Sequence, residues 1–254
     1  ALAGDAITTG RFNTTVGYNA GSGVTTANAN TFIGDSTGSS TTTGASNVAV
    51  GQSALNANTT GTQNTAVGES ALLANTVGAN NTAIGREALK SNTEGSFNVA
   101  MGRTSLTTNT TGSNNVAVGY QALNASTTAT GNTALGHNSL SANTTGYGNT
   151  AVGSLSGDAI TTGLNNTTVG RASLTACTTG GSNVAVGVSA LEGLTTGSNN
   201  VAIGPNTGGA ITTGYENTCI GKSAGDAITT GNNNIIIGQS VDPDSASQAH
   251  AIVI

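Results

Sequence analysis

"TTGSNNVAVGYQAL" (residues 110–123) joins a turn-rich hexapeptide to a short run, Val116-Ala117-Val118, and closes that run on Gly119. Gly, Asn and Thr favour bends and β-branched residues favour extended chain, so the phrase reads as one strand held between turns. The phrase "NNTAIGREAL" at 80–89 is nearly the same. Its closing glycine recurs at Gly17, Gly34, Gly51, Gly68, Gly85, Gly102, Gly119, Gly136, Gly153, Gly170, Gly187, Gly204, Gly221 and Gly238, always 17 residues apart. A strict period of this size marks a solenoid, in which each repeat is a coil stacked on its neighbours. The expected fold is all-β: a parallel β-solenoid of fifteen 17-residue coils, regular over 1–238 and degenerate in a last coil, 239–254. Ala1 falls inside a repeat, which leads us to expect further chain upstream.

Composition narrows the function classes. The 254 residues include 38 Gly, no Trp and 3% aromatics, too little large apolar volume for an ordinary globular core. Charged residues make up 7% and the net charge is −5, with no basic stripe to neutralise phosphates, so nucleic acid is not an expected partner. The run "IIIG" at 235–238 is far short of the roughly 20 apolar residues of a membrane-spanning helix, so no membrane insertion is expected. Cys177 and Cys219 fall in different positions of the repeat about two and a half coils apart, beyond disulfide reach at ~4.8 Å per coil. They read as small buried residues.

With the closing glycine as column 0, the repeat separates into fixed and free columns. Column 13 is Asn in all fourteen complete repeats, among them Asn47, Asn64, Asn81, Asn98, Asn115, Asn132 and Asn149. Column 8 is Thr in all fourteen, among them Thr59, Thr110 and Thr144, and column 10 is Gly in twelve. These read as turn positions, the glycines supplying positive φ, and stacked amides in column 13 form an internal Asn ladder along the axis.

Columns 14 to 16 form the strand. Columns 14 and 16 share a face, so Val50, Val67 and Ile84 are expected in the core, and column 15, mostly Ala, faces the other way. Across the coil, Leu at column 4 (Leu55, Leu72, Leu89) trades with Gly at column 4 plus Ile at column 7 (Ile160, Ile228), as if one large side chain fills a shared pocket. Gly38 with Thr41 breaks that rule. Columns 1, 2, 5, 6, 11 and 12 accept almost any residue and form the solvent face.

Seventeen residues hold two short strands and two turns, a flat β-roll. A coil with about three large aliphatics does not by itself offset the ordering of its chain, so the rod is expected to need company. The small column 15 lets three rods pack about a common axis. The expected assembly is a homotrimeric fibre with Ala49, Ala66, Ala83, Ala100 and Ala117 at its axis.

"NNVAVGYQAL" (114–123) and "NNTAIGREAL" (80–89) resemble the N-S-V-A-I-G phrases in the left-handed β-roll heads of trimeric autotransporter adhesins, whose usual period is shorter. Over all fourteen repeats the chain is similar to the repeat shafts of phage tail fibres, which precede a C-terminal intramolecular chaperone. The segment 232–254 looks like the junction before such a domain. The resemblance implies a left-handed coil, trimeric assembly, and a place on a virion or outside a cell.

Strings that suggest chemistry follow from the repeat. "GDSTG" (34–38) and "GKSAG" (221–225) match the G-x-S-x-G nucleophile elbow, but both are columns 0 to 4, and His137 lies six coils from Ser36, roughly 29 Å at ~4.8 Å per coil. "GKS" at 221–223 lacks the earlier glycine of a phosphate loop, since Glu216 stands there. Asp5, Asp158 and Asp226 occur singly and do not stack as calcium ligands do. "NTT" at Asn58 and Asn143 is a glycosylation pattern that the repeat itself generates. The expectation is no enzyme, no metal and no cofactor.

Three functions compete: a fibre shaft that spaces a host-binding tip from a virion, its other domains meeting a host-surface glycan or protein; a bacterial surface adhesin binding through its variable columns; and an ice-binding solenoid. Ice binding needs a flat pair of ranks, which adjacent Thr at columns 8 and 9 do not make, since neighbouring strand residues point apart.

Overall fold

A computed structural model of the chain describes residues 2–254. It contains fifteen short strands and, among the described residues, no helix. Two compact units meet the eye, one ending at Thr130 and the other Gly131–Ile254. The first holds β1 (Thr14–Val16), β2 (Thr31–Ile33), β3 (Val48–Val50), β4 (Thr65–Val67), β5 (Thr82–Ile84), β6 (Val99–Met101) and β7 (Val116–Val118). The second holds β8 (Thr133–Leu135), β9 (Thr150–Val152), β10 (Thr167–Val169), β11 (Val184–Val186), β12 (Val201–Ile203), β13 (Thr218–Ile220), β14 (Ile235–Ile237) and β15 (Ile252–Val253).

Within each unit every strand pairs in parallel with its neighbours in chain order, and the register is one full repeat: Thr65 faces Thr82, Ala66 faces Ala83 and Val67 faces Ile84, as Val184 faces Val201 in the second unit. The chain is a parallel β-solenoid. The final coil keeps the stack despite its altered turn residues, with Ile235 opposite Ile252 and the Ala251 amide donating to Asn234 Oδ1 at 2.9 Å.

Backbone bonds run between coils well beyond the strands. Leu55 N donates to Ala71 O at 2.9 Å, Thr59 N to Thr76 O at 2.9 Å and Ser70 N to Gln52 O at 2.9 Å, so coils are joined around most of their circuit. That satisfies turn backbone that would otherwise be buried without partners. Each coil nevertheless contains one strand, where two were expected. Columns 0, 2 and 4 all have positive φ, for example Gly51 at 125°, Ser53 at 55° and Leu55 at 53°. Three left-handed residues in five leave no extended run on that side.

The left-handed columns explain which glycines are obligatory. Column 0 has φ between 125° and 144°, outside the left-handed helical well, and holds only glycine. Columns 2, 4 and 12 lie near 55° and tolerate side chains, including eight leucines in column 4. Column 10 corrects the sequence reading. Its glycines do not have positive φ; a Cβ at Gly44 would instead collide with the Gly61 carbonyl oxygen of the next coil. Close approach, not turn geometry, requires glycine there.

A second correction concerns inside and outside. Ala49, Ala66, Ala83, Ala100 and Ala117 are 0% exposed within a single chain, so column 15 is the coil interior and cannot be an assembly axis. Val50, Val67 and Ile84, expected in the core, are half-buried and point outward with the rest of columns 14 and 16. The interior is narrow: Leu55, Leu72 and Leu89 reach in from column 4 and are fully buried, and only a methyl fits opposite. All eight coils with Leu at column 4 carry Ala at column 15. In five of the six coils with Gly at column 4, column 15 enlarges: Gly4 with Thr15, Gly21 with Phe32, Gly157 with Thr168, Gly208 with Cys219, Gly225 with Ile236; Gly38 keeps Ala49. Ile160 and Ile228, also fully buried, fill the same space from column 7.

Candidate functional site

Asparagine is the one polar residue this core is built to hold. In column 13 Oδ1 accepts from the backbone amide of the next coil and, in most coils, from the next side chain too: Asn47 N and Asn47 Nδ2 donate to Asn30 Oδ1 at 2.9 and 3.1 Å. The same Nδ2 donates to Gly61 O at 2.9 Å. The pattern continues through Asn64, Asn81 and Asn98 to Asn115, and in the second unit from Asn132 and Asn149 to Asn234. Every one of these side chains from Asn30 on is buried and bonded, as a polar group in such a core must be.

A second ladder, which the sequence reading missed, runs up column 7. Asn75, Asn92 and Asn109 donate Nδ2 to the Oδ1 of Asn58, Asn75 and Asn92 at 2.9, 2.8 and 2.8 Å. Asn58 Nδ2 also donates to Gly61 O at 3.1 Å, the carbonyl that Asn47 binds from the other side. Four consecutive coils with Asn at column 7 were the available signal. Column 8 adds an outer rail, with Thr59, Thr110 and Thr144 hydroxyls donating to the Thr76, Thr127 and Thr161 carbonyls at 3.0, 3.1 and 3.2 Å.

The outward counterpart is the sheet face of columns 14 and 16. Its side chains are Thr, Val, Ile, Leu and Met throughout, with no charged residue in any repeat. Val48, Met101 and Ile203 are 39%, 39% and 41% exposed. Six of the seven aromatics are exposed as well, and all six lie in columns 1, 11 and 12, beside this face. Five of the six Lys and Arg residues occupy columns 1 and 11 there, against four carboxylates in columns 1, 2 and 12. The opposite half of the coil, columns 3 to 10, holds the remaining seven carboxylates and Lys90. Counted over all repeats, the strand side is uncharged on columns 14 and 16 with aromatics beside it, and the turn side carries the excess of acidic groups.

Few titratable groups interact. Arg86 Nε pairs with Glu69 at 3.3 Å and Lys90 with Glu87 at 3.2 Å, and the Lys90 bond holds the Glu87 carboxyl below its ordinary value. Arg103 stacks over Tyr120 at 5.8 Å. Burial pushes Cys177 up to about 11. Cys219 rises to about 12, through burial first and then the charge of Asp242. Both thiols are free and protonated at neutral pH. Ser36 and Ser223 sit at the column 2 corner with φ of 53° and 52°, a geometry that column 2 keeps from Asn19 to Ser240. Among the described residues no cluster of three metal-ligating side chains occurs, and no helix is long and apolar enough to cross a membrane. No family model, curated protein or solved structure matches the chain.

Proposed function

We propose that the chain is the structural shaft of an extracellular or virion fibre, of the tail fibre type, in which three copies pack through columns 14 and 16 and project a host-binding tip carried on other domains. The uncharged face of aliphatic and Thr side chains carries this reading. In the first unit alone, seven strands of three residues make a strip of roughly 330 Å² at ~4.8 Å per coil and ~3.3 Å per residue. Contiguous apolar surface of that order is a mark of an interaction site. Charge supports the same orientation, since burying the strand side sets the acidic turn side outward, which favours solubility. The proposed role needs no catalysis and no cofactor; the backbone bonds and ladders supply stiffness.

Light scattering on the purified chain tests it. The expected mass is three chains, falling to one when Ile84→Lys and Val118→Lys place charge on the face; a folded monomer of the parent chain contradicts the proposal. A second reading uses the same strip. Columns 14 and 16 form the flat pair of ranks that columns 8 and 9 lack, with Thr in eight of the fourteen complete repeats at column 14. A monomer showing thermal hysteresis would favour an ice-binding solenoid.

A further inference from the structure

The ladders carry a constraint on where this protein is made. Eight N-x-S/T sequons occur in the chain. Four have acceptors that are fully buried, Asn58, Asn109, Asn143 and Asn166; two, Asn80 and Asn165, are exposed in column 12, and the remaining two are half-buried. The atom a sugar would take is Nδ2, and in the buried four it is a donor already in use. Asn109 Nδ2 donates to Asn92 Oδ1 at 2.8 Å and to Gly112 O at 3.0 Å. Asn166 Nδ2 donates to Asn149 Oδ1 at 3.1 Å and to Gly180 O at 2.9 Å. Asn58 and Asn143 donate to Gly61 O and Gly146 O at 3.1 and 3.0 Å.

Glycosyl transfer forms a C–N bond at Nδ2, breaks the bond between the sugar and the pyrophosphate of an activated glycosyl donor, and removes one amide proton. At Asn109 and Asn166 both protons are committed, so one ladder bond is lost. At all four a sugar must also enter a closed core, against the packing of the next coil. A chain modified at these sites before folding has no route to the coil.

We infer that the chain reaches this fold only where nascent chains are not N-glycosylated, and that the folded protein offers Asn80 and Asn165 as acceptors. The inference is independent of the shaft reading, since it rests on the interior of one coil stack.

Expression of the full chain in a eukaryotic cell, with and without a secretory signal, tests it. The cytosolic form is expected to resist proteinase K. The secretory form is expected to carry sugar on the buried four, mapped by mass spectrometry, and to be digested. Thr60→Ala, Thr111→Ala, Thr145→Ala and Thr168→Ala remove the four sequons; the first three are exposed and Thr168 stands where most coils hold Ala. Resistance is expected to return in that variant. A soluble N-glycosyltransferase with a nucleotide sugar is expected to modify the folded cytosolic chain at Asn80 and Asn165, leaving the buried four unmodified. A protease-resistant secreted parent, with or without sugar on the buried four, overturns the inference. So does a silenced variant as sensitive as the parent, or a folded chain modified at any buried site or at neither exposed one.

Discussion

Phe32 occupies the space that Gly38 leaves open in the following coil: a Cβ built at Gly38 would lie 2.7 Å from both Cε1 and Cζ of the Phe32 ring. This contact accounts for the repeat that combines Gly at column 4 with Thr41 at column 7 and so lacks a large side chain of its own. Phe32→Ala is expected to cost about 3–5 kcal/mol by leaving a cavity. Adding Gly38→Leu rebuilds the Leu-with-Ala pairing of other coils, and the double variant should recover much of that loss, although Gly38→Leu alone clashes. Denaturant melts of the four proteins read the coupling.

The column 13 ladder predicts a sharp contrast between adjacent residues. Asn81→Ala orphans the buried Asn98 amide, which donates to Asn81 Oδ1 at 3.0 Å, and leaves the Gly95 carbonyl with Asn92 Nδ2 as its one side-chain donor where it had two. At about 1–3 kcal/mol for each buried group left unpaired, the loss is large. Asn80→Gly, exposed at column 12 with a φ of 59° that glycine accepts, should change stability by roughly 0.5 kcal/mol or less. Thermal melts of the pair check this.

The column 7 ladder stops at Ser126. Asn109 Oδ1 and Ser126 Oγ are both buried and without a hydrogen-bond partner. Ser126→Asn together with Ala129→Gly supplies the next amide of the ladder and the glycine against which Asn58, Asn75, Asn92 and Asn109 set their Oδ1, and should stabilise the chain by about 1 kcal/mol. The midpoint of unfolding in denaturant is the readout.

Buried thiols make stability fall at high pH. The raised values of Cys177 and Cys219, against an ordinary 9.0, mean the unfolded chain loses its thiol protons first. Their contribution is complete below about pH 9 and declines as pH rises toward the folded values. Melting temperature should therefore drop above pH 9, and Cys177→Ala with Cys219→Ala should flatten that slope.

Much of this architecture was legible in the residues. The 17-residue period set the coil, the β-branched columns located the strand, and an unvarying Asn required an internal partner. The sign of the strand was not legible from alternation, which separates columns 14 and 16 from column 15 without saying which faces inward. Both faces are apolar here, and large aliphatics ordinarily mark the core. The deciding signal lay in pairs of columns: Ala at 15 accompanies Leu at 4, and Thr15, Phe32, Thr168, Cys219 and Ile236 accompany Gly. Column 10 misled for a different reason. Glycine answers both positive φ, as at Gly68, and close approach, as at Gly78, and composition does not distinguish them.

Crystallographic density for the chain tests the central claim most directly. It should show one three-residue strand per 17 residues, repeating at ~4.8 Å, with the methyls of Ala66 and Ala83 inside the coil and Val67 and Ile84 outside. Two strands per coil, or the aliphatic columns packed inward with the alanines on the surface, would contradict it.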